Sequence, residues 1–241
     1  MSEFWREPSA APRLETNEVH VWLAHLPSVR PNLEKRYAVL SSDEIERAEK
    51  FHFAAQRERW QMTRGILRML LASYVETPAR EIVFKYSEKG KPGLKHPAAH
   101  DFHFNTSHSG DCAVFAFTHA GEVGVDIECV QKEMPRRDDI VRRYFAPGEQ
   151  QQFFALPEPE RARAFFMLWT RKEAFVKARG IGLFSGLDQF EVSLEAPRVV
   201  SGSNWWMNEL PSIAGHEGAV VVQAASCRAR FWKWSAAKPA S

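Results

Sequence analysis

Gly124-Val125-Asp126-Ile127-Glu128 sets two carboxylates two residues apart inside an otherwise apolar run. A β-strand alternates its side chains, so Asp126 and Glu128 share one face while Val125 and Ile127 point the other way, into a core. Two like charges held this close are costly unless a cation or basic groups neutralise them. Paired carboxylates of this kind suit a hard divalent ion, Mg2+ above all.

Outward from this strand, one order of elements recurs on both sides. Upstream, residues 20–24 read as a short strand, and Ser41-Ser42-Asp43-Glu44 has the form of a capping box opening a helix toward Phe51. Ile66, Leu67, Leu70, Leu71 and Tyr74 then fall on one face of a longer helix. Strand patterns follow at residues 82–86, 102–107 and 112–118. After the turn His119-Ala120-Gly121-Glu122 come a strand at 123–127, helices at 138–156 and 160–179, and strands at 190–194, 219–224 and 230–234. The economical reading is an α+β fold made of two similar halves, residues 1–120 and 121–241, joined near Gly121. The symmetry rests on element order, because no clear sequence repeat accompanies it. The first residues and residues 236–241 read as loose ends.

At 241 residues with 44% hydrophobic composition, the chain can bury a substantial core in one large domain or two compact halves. A formal net charge of only +2 gives no bulk electrostatic reason to expect nucleic-acid binding. Cys112, Cys129 and Cys227 form no CxxC pair, and scattered thiols in odd number fit a reducing compartment. Met1 to Arg13 has no apolar signal core and no later run is long enough to cross a bilayer, so the expectation is a soluble, cytoplasmic protein.

Two further stretches carry chemistry. Trp169-Thr170-Arg171-Lys172-Glu173-Ala174-Phe175-Val176-Lys177 reads as a helix stopping at Gly180, with Glu173 and Lys177 four apart on one face. Taken alone, the pair is a surface ion pair worth a few tenths of a kcal/mol. Yet Phe165, Phe166, Leu168, Trp169, Phe175 and Val176 make this helix a packed one. A third carboxylate completing a metal site is one reason for a charged pair there. Phe104-Asn105-Thr106-Ser107-His108-Ser109-Gly110 reads as a strand running into a small-residue turn that can present N–H groups, hydroxyls and an imidazole to an anion. A serine-hydrolase reading fits poorly, because adjacent Ser107 and His108 diverge on an extended chain and there is no GxSxG elbow. Lys89-Gly90-Lys91-Pro92 is by default a turn carrying two cations.

In combination, the ordered series KGKP, FNTSHSG, GVDIE and WTRKEAFVKARG resembles the 4'-phosphopantetheinyl transferase superfamily, in particular its larger single-chain class, the surfactin-synthetase-activating type. The resemblance covers residues 47–186. It implies a pseudo-dimer of two α+β halves with the active site, and coenzyme A, in the cleft between them. Position by position, it implies that Asp126, Glu128 and Glu173 hold Mg2+ beside the pyrophosphate, and that Lys177 and His108 meet the phosphates. Lys89, Gly90, Lys91, Pro92 and Ser107 match positions lining the adenine and 3'-phosphate end, as does Arg47, with Arg59 a weaker candidate. Some members carry two basic residues before the position of Phe51, where this chain has Glu44 at one of the places. The implied activity is transfer of 4'-phosphopantetheine from coenzyme A to a serine of an apo carrier protein. Glu173 would act as base, Asp126 and Lys177 would share the catalytic work, and 3',5'-ADP would leave.

Other features have blander readings. His96, His100 and His103 invite zinc, but Pro97 and the lack of a fourth ligand point to a polar loop. Arg136, Arg137, Arg142 and Arg143, followed by Tyr144 and Phe145, are either a solvated basic helix face or a docking surface for an acidic carrier. Trp205, Trp206, Trp232 and Trp234 read as core and sheet-edge packing. Rival functions are a metal-dependent phosphodiesterase or nucleotidyl hydrolase, and a catalytically inactive coenzyme A-binding interaction protein. Two halves in one chain make a monomer sufficient.

Overall fold

The structure, a computed structural model, describes residues 4–29, 37–95, 101–130, 134–182, 186–200 and 204–235. In chain order the first half contains β1 (Glu18–His25), the short α1 (Leu26–Val29), α2 (Ser42–Glu49) and the 22-residue α3 (Ala54–Val75). It continues with β2 (Phe84–Tyr86), β3 (Pro92–Leu94), β4 (His103–Ser109) and β5 (Cys112–Thr118). The second half has β6 (Val123–Cys129), α4 (Arg137–Tyr144), α5 (Pro147–Ala155) and α6 (Glu158–Arg179), again of 22 residues. β7 (Trp206–Glu209), β8 (His216–Val222) and β9 (Arg228–Lys233) complete it. The chain is thus α+β with two domain-like halves, each setting one long helix against an antiparallel pair of strands.

Alternation along the strands explains how the layers stack. Val19, Val21 and Leu23 of β1 and Val114 and Ala116 of β5 meet Val123, Val125 and Ile127 of β6 and Val220 and Val222 of β8. The intervening residues, Trp22, Ala24, Ala113, Phe115 and Phe117, turn the other way onto Ile66, Leu67, Leu70 and Leu71 of α3. A third core lies beneath α6, where Phe165, Leu168 and Phe175 pack with Met207 and Val221. The order is therefore α3, first sheet, second sheet, α6. β1 and β5 are apolar on both faces because both faces are covered.

The first sheet runs β4-β5-β1-β9 and the second β6-β8-β7. The last strand does not stay with its half of the sequence. β9 pairs parallel with β1, in the register Val21 to Phe231, and so closes an edge that would otherwise leave β1 backbone groups open.

Three expectations need correction. The helix read over residues 138–156 is two helices, because Pro147 has no N–H to continue α4 and instead starts α5, with Glu149 accepting the Ala146 N–H at 2.8 Å. Residues 190–194 do not form a strand; only Val192 bridges to Val199. Side chains satisfy that backbone instead: Glu149 accepts from Val192 N–H at 2.8 Å, and Arg171 donates to the Ser193 and Leu194 carbonyls. The N-terminal segment is not loose from Trp5 onward, since Trp5 is buried edge-on against Phe231 and its indole donates to the Pro211 carbonyl at 3.2 Å. The expected loose end at 236–241 lies outside the described residues. Trp205 packs on Phe175, and Trp232 on His20 and Trp22, in line with the packing role read for them.

Candidate active site

Gly124 decides how closely the second sheet meets its helix. A Cβ there would stand 2.0 Å from the Ala174 carbonyl oxygen and 2.4 Å from the Ala178 nitrogen, so α6 lies directly on the β6 backbone. Asp126 is the next residue on that face, and Glu173 and Lys177 are one helical turn apart on the facing side of α6. α6 then ends at Gly180 in the left-handed conformation, φ 65°, as its sequence predicts.

β4 and β6 are edge strands of different sheets, and side chains join them in place of a backbone ladder. Asn105, Ser107 and Ser109 alternate on β4 and all reach β6. Asn105 Oδ1 accepts from Val125 N–H at 3.1 Å, Ser107 Oγ donates to Asp126 Oδ1 at 2.8 Å, and Ser109 Oγ donates to Glu128 Oε2 at 2.7 Å. This zip holds the two halves in register where their edges meet.

A cleft of about 410 Å³ opens beside it. Thr106, Ser107 and His108 of β4 and Asp126 and Glu128 of β6 line one side. Trp169, Glu173 and Lys177 of α6 line another, and Trp60, Thr63, Arg64 and Leu67 of α3 face them. A second hollow of about 220 Å³ shares Thr106 and Lys177 with the first and is lined by Lys89, Gly90, Lys91 and Pro92.

Lys177 is the electrostatic hub of the cleft. Its Nζ donates to Asp126 Oδ1 at 2.6 Å, to Ser107 Oγ at 3.0 Å and to the Val125 carbonyl at 3.3 Å. Glu173, only 3% exposed, has no partner for either oxygen, and Asp126 Oδ2 also lacks one. Burial, with Asp126 and Glu128 adding like charge and Lys177 opposing them, pushes the Glu173 carboxyl up to about 7. The His108 side chain is exposed at the cleft mouth, and partial desolvation there, assisted by the positive charges of Arg59 and Lys177, lowers its pKa.

Three buried carboxylate oxygens without donors fit a cation between Asp126 and Glu173, because an unpaired buried anion is otherwise a large cost. Among the described residues, no three His, Cys, Asp or Glu side chains are gathered ready to hold a metal as they stand. Asp126 faces Lys177 and Glu128 faces Ser109, so an ion would have to draw both carboxylates from these partners.

Six of the residues singled out in the sequence therefore line one cleft: Asp126, Glu128, Glu173, Lys177, Ser107 and His108. Arg47 does not line it, and its guanidinium lies 5.7 Å from the centre of the Trp60 ring, which does. Glu44 has a structural role. It caps Ser41 N–H at 3.0 Å and takes ion pairs from Arg64 and Arg68, the latter at 2.6 Å. Phe145 cannot serve in docking, because it is buried and stacked on Phe165 and Trp169. Arg136, Arg142 and Arg143 stay exposed, while Arg137 pairs with Asp138 and Glu158. His103 pairs with Glu122 at 3.3 Å, and His96 and His100 lie outside the described residues.

The α3 wall was missed. Trp60, Thr63, Arg64 and Leu67 follow i, i+3, i+4, i+7 spacing, so polar members on an otherwise apolar stripe were the available signal. Arg64 is held in place by Glu44, by Tyr86 Oη at 2.8 Å and by the Phe84 ring at 3.6 Å.

Most of the chain is similar to known proteins of one family. A family model described as the 4'-phosphopantetheinyl transferase superfamily matches residues 122–221, and one described as 4'-phosphopantetheinyl transferase, N-terminal, matches residues 27–120. The chain is 33% identical over 227 residues to the 4'-phosphopantetheinyl transferase HetI of Nostoc sp., covering 92% of this chain and 94% of that one. It is 36% identical over 169 residues to a putative 4'-phosphopantetheinyl transferase of Synechocystis sp., covering 70% and 68%. It is 31% identical over 168 residues to the 4'-phosphopantetheinyl transferase Sfp of Bacillus subtilis, covering 70% and 72%.

Proposed function

The chain belongs to the 4'-phosphopantetheinyl transferase superfamily, in its larger single-chain class, and on that premise we propose that the cleft between its halves binds coenzyme A and an apo carrier protein. The enzyme moves the 4'-phosphopantetheine group onto a carrier serine. The observation that carries the site assignment is the buried, unpartnered Glu173 carboxylate beside the Asp126 and Lys177 pair. Neither the hydrolase nor the inactive-protein alternative gains support from the relatives.

Asp126, Glu128 and Glu173 would hold a divalent cation, Mg2+ by the hardness of the donors, and when bound it would supply Lewis-acid charge at the pyrophosphate. Lys177 and His108 face the space where the phosphates would lie, and Lys177 offsets charge on the departing 3',5'-ADP. Ser107 orients Lys177 by accepting a hydrogen bond from its Nζ at 3.0 Å while donating to Asp126. Glu173 would take the serine Oγ proton as that oxygen bonds to the β-phosphorus and the bond to 3',5'-ADP breaks.

Lys89, Gly90, Lys91 and Pro92 line the second hollow, which would receive the adenine and 3'-phosphate end. Arg136, Arg142 and Arg143 are the exposed part of the basic face that would steer an acidic carrier. No helix among the described residues is long and apolar enough to cross a membrane, and a cytoplasmic monomer is the assembly we propose.

The test is incubation with coenzyme A, Mg2+ and a panel of apo acyl and peptidyl carriers, followed by intact-mass measurement of each carrier. One phosphopantetheine added to at least one carrier is expected. No mass gain on any carrier would overturn the reading.

A further inference from the structure

The family resemblance places Lys91 against the nucleotide, yet its ammonium already has two acceptors. Lys91 Nζ donates to Glu122 Oε2 at 2.6 Å and to the Ala178 carbonyl at 2.9 Å, with the side chain only 17% exposed. Its stem lies along the end of α6, where a Cβ on Gly180 would be 3.4 Å from Lys91 Cδ. Glu122 is itself fixed. Its other oxygen faces His103 Nδ1 at 3.3 Å, and its carbonyl accepts from Gln223 N–H at 2.8 Å.

These contacts tie together three elements that no backbone ladder joins. Lys91 belongs to the β2–β3 hairpin, Glu122 to the link between β5 and β6, and Ala178 to the last turn of α6. The hairpin forms a sheet of its own with three residue pairs, and an isolated two-stranded hairpin is marginal in water. The second hollow lies between that hairpin and the α6 terminus, with residues 89–92 on one wall and Val176, Lys177 and Gly180 on the other. Whatever holds the hairpin at this distance sets the width of the hollow. A lysine whose charge is compensated by a carboxylate at 2.6 Å also presents little net field to a phosphate, which leaves Lys89 on the same turn to supply it.

We infer that Glu122 is a positioning residue: through Lys91 it props the β2–β3 hairpin against the end of α6 and so shapes the hollow for the nucleotide end of coenzyme A. This rests on the coenzyme A reading of the cleft. In that role the strut acts on binding of coenzyme A and leaves the reacting atoms at Glu173 and Lys177 in place.

The test compares E122A, E122Q, K91A and the K91A/E122A double variant. It measures KM for coenzyme A and kcat with one saturating carrier, coenzyme A binding by calorimetry, and melting temperature. E122A is expected to raise KM and the dissociation constant about fivefold, the worth of about 1 kcal/mol, with kcat within about twofold. E122Q, which keeps an acceptor, should fall between E122A and the wild type. The double variant should be no worse than K91A alone, because two residues forming one strut are lost together. An unchanged or lower KM in E122A would overturn the inference, since Lys91 would then act on the phosphate directly with Glu122 opposing it. A parallel loss of kcat and melting temperature with unchanged KM would also overturn it. Failure of the wild type to bind coenzyme A would remove the underlying reading and the inference together, whereas wild-type binding unaltered in E122A sinks the inference alone.

Discussion

Lys177 on α6 reaches across to Asp126 on β6, its Nζ 2.6 Å from Oδ1, and Ser107 from the other half of the molecule bridges the same two groups. One cation thus holds together both halves and the acidic cluster. Removing it takes from Asp126 the ammonium that pairs with it and opposes the charge on Glu173. Lys177→Met should lower kcat/KM for transfer on the order of 100-fold, as loss of a charge-stabilising donor does, and weaken coenzyme A binding in calorimetry. Wild-type kinetics in this variant would remove Lys177 from the mechanism.

Glu173 is the residue whose burial makes least sense without a function. Glu173→Gln keeps the shape and removes the unpaired charge, so transfer should be abolished while the cation-free protein melts no lower than the wild type. Mg2+ should raise the melting temperature of the wild type and raise that of the variant less. Equal Mg2+ shifts in scanning calorimetry would show that Glu173 does not hold the ion.

Gly124 sets the distance between β6 and α6. Gly124→Ala pushes a methyl group into the Ala174 carbonyl and the Ala178 nitrogen, which belong to helix backbone and cannot turn aside. A loss of about 1–3 kcal/mol in urea unfolding is expected. A larger loss of activity should accompany it, because Asp126 and Lys177 separate as the helix is displaced. Stability and activity both at wild-type level would contradict the close approach.

His20 makes stability depend on pH away from the active site. Its Nδ1 is 2.8 Å from Tyr74 Oη, which also accepts the Trp22 indole N–H at 2.8 Å, so the tyrosine proton goes to a neutral imidazole. Burial lowers the His20 pKa to about 4, with Glu18 partly opposing that shift. The folded value lies below the ordinary imidazole value of 6.5, so the unfolded chain takes up the proton first as pH falls. The His20 contribution should therefore be constant above about pH 7 and decline between 6.5 and about 4, by on the order of 3 kcal/mol at most, while the raised Glu173 carboxyl contributes with opposite sign over much of the same range. Urea midpoints at pH 7.5 and 5, compared between the wild type and His20→Gln, measure it: the wild type should lose more, or gain less, stability on acidification than the variant, and equal changes in the two would remove His20 as the cause.

Much of the architecture was legible because it depends on short-range patterns. β5 occupies Cys112–Thr118, as its apolar run predicts, and α6 stops at Gly180 because glycine accepts a positive φ there. Residues 138–156 were misread because helical periodicity continues through Phe145, while Pro147 has no N–H with which to extend the helix. Residues 190–194 look like a strand, but partners supplied by Glu149, Gln152 and Arg171, all distant in sequence, satisfy their backbone groups. Phe145 illustrates the same limit, since nothing in its neighbourhood says whether an aromatic at a helix end faces a partner or the core.

Within the site, the alternation of Asp126 and Glu128 with Val125 and Ile127, and the helical spacing of Glu173 and Lys177, were properties of the chain alone. Backbone geometry assigns each pair to one face whatever surrounds it. Other relations needed the folded molecule: Lys177 lying on Asp126, Ser107 joining them from the other half, β9 returning to β1, and Lys91 engaged by Glu122. All of these join residues far apart in sequence or on different halves. Their distances depend on how sheets and helices stack, and no local periodicity encodes that.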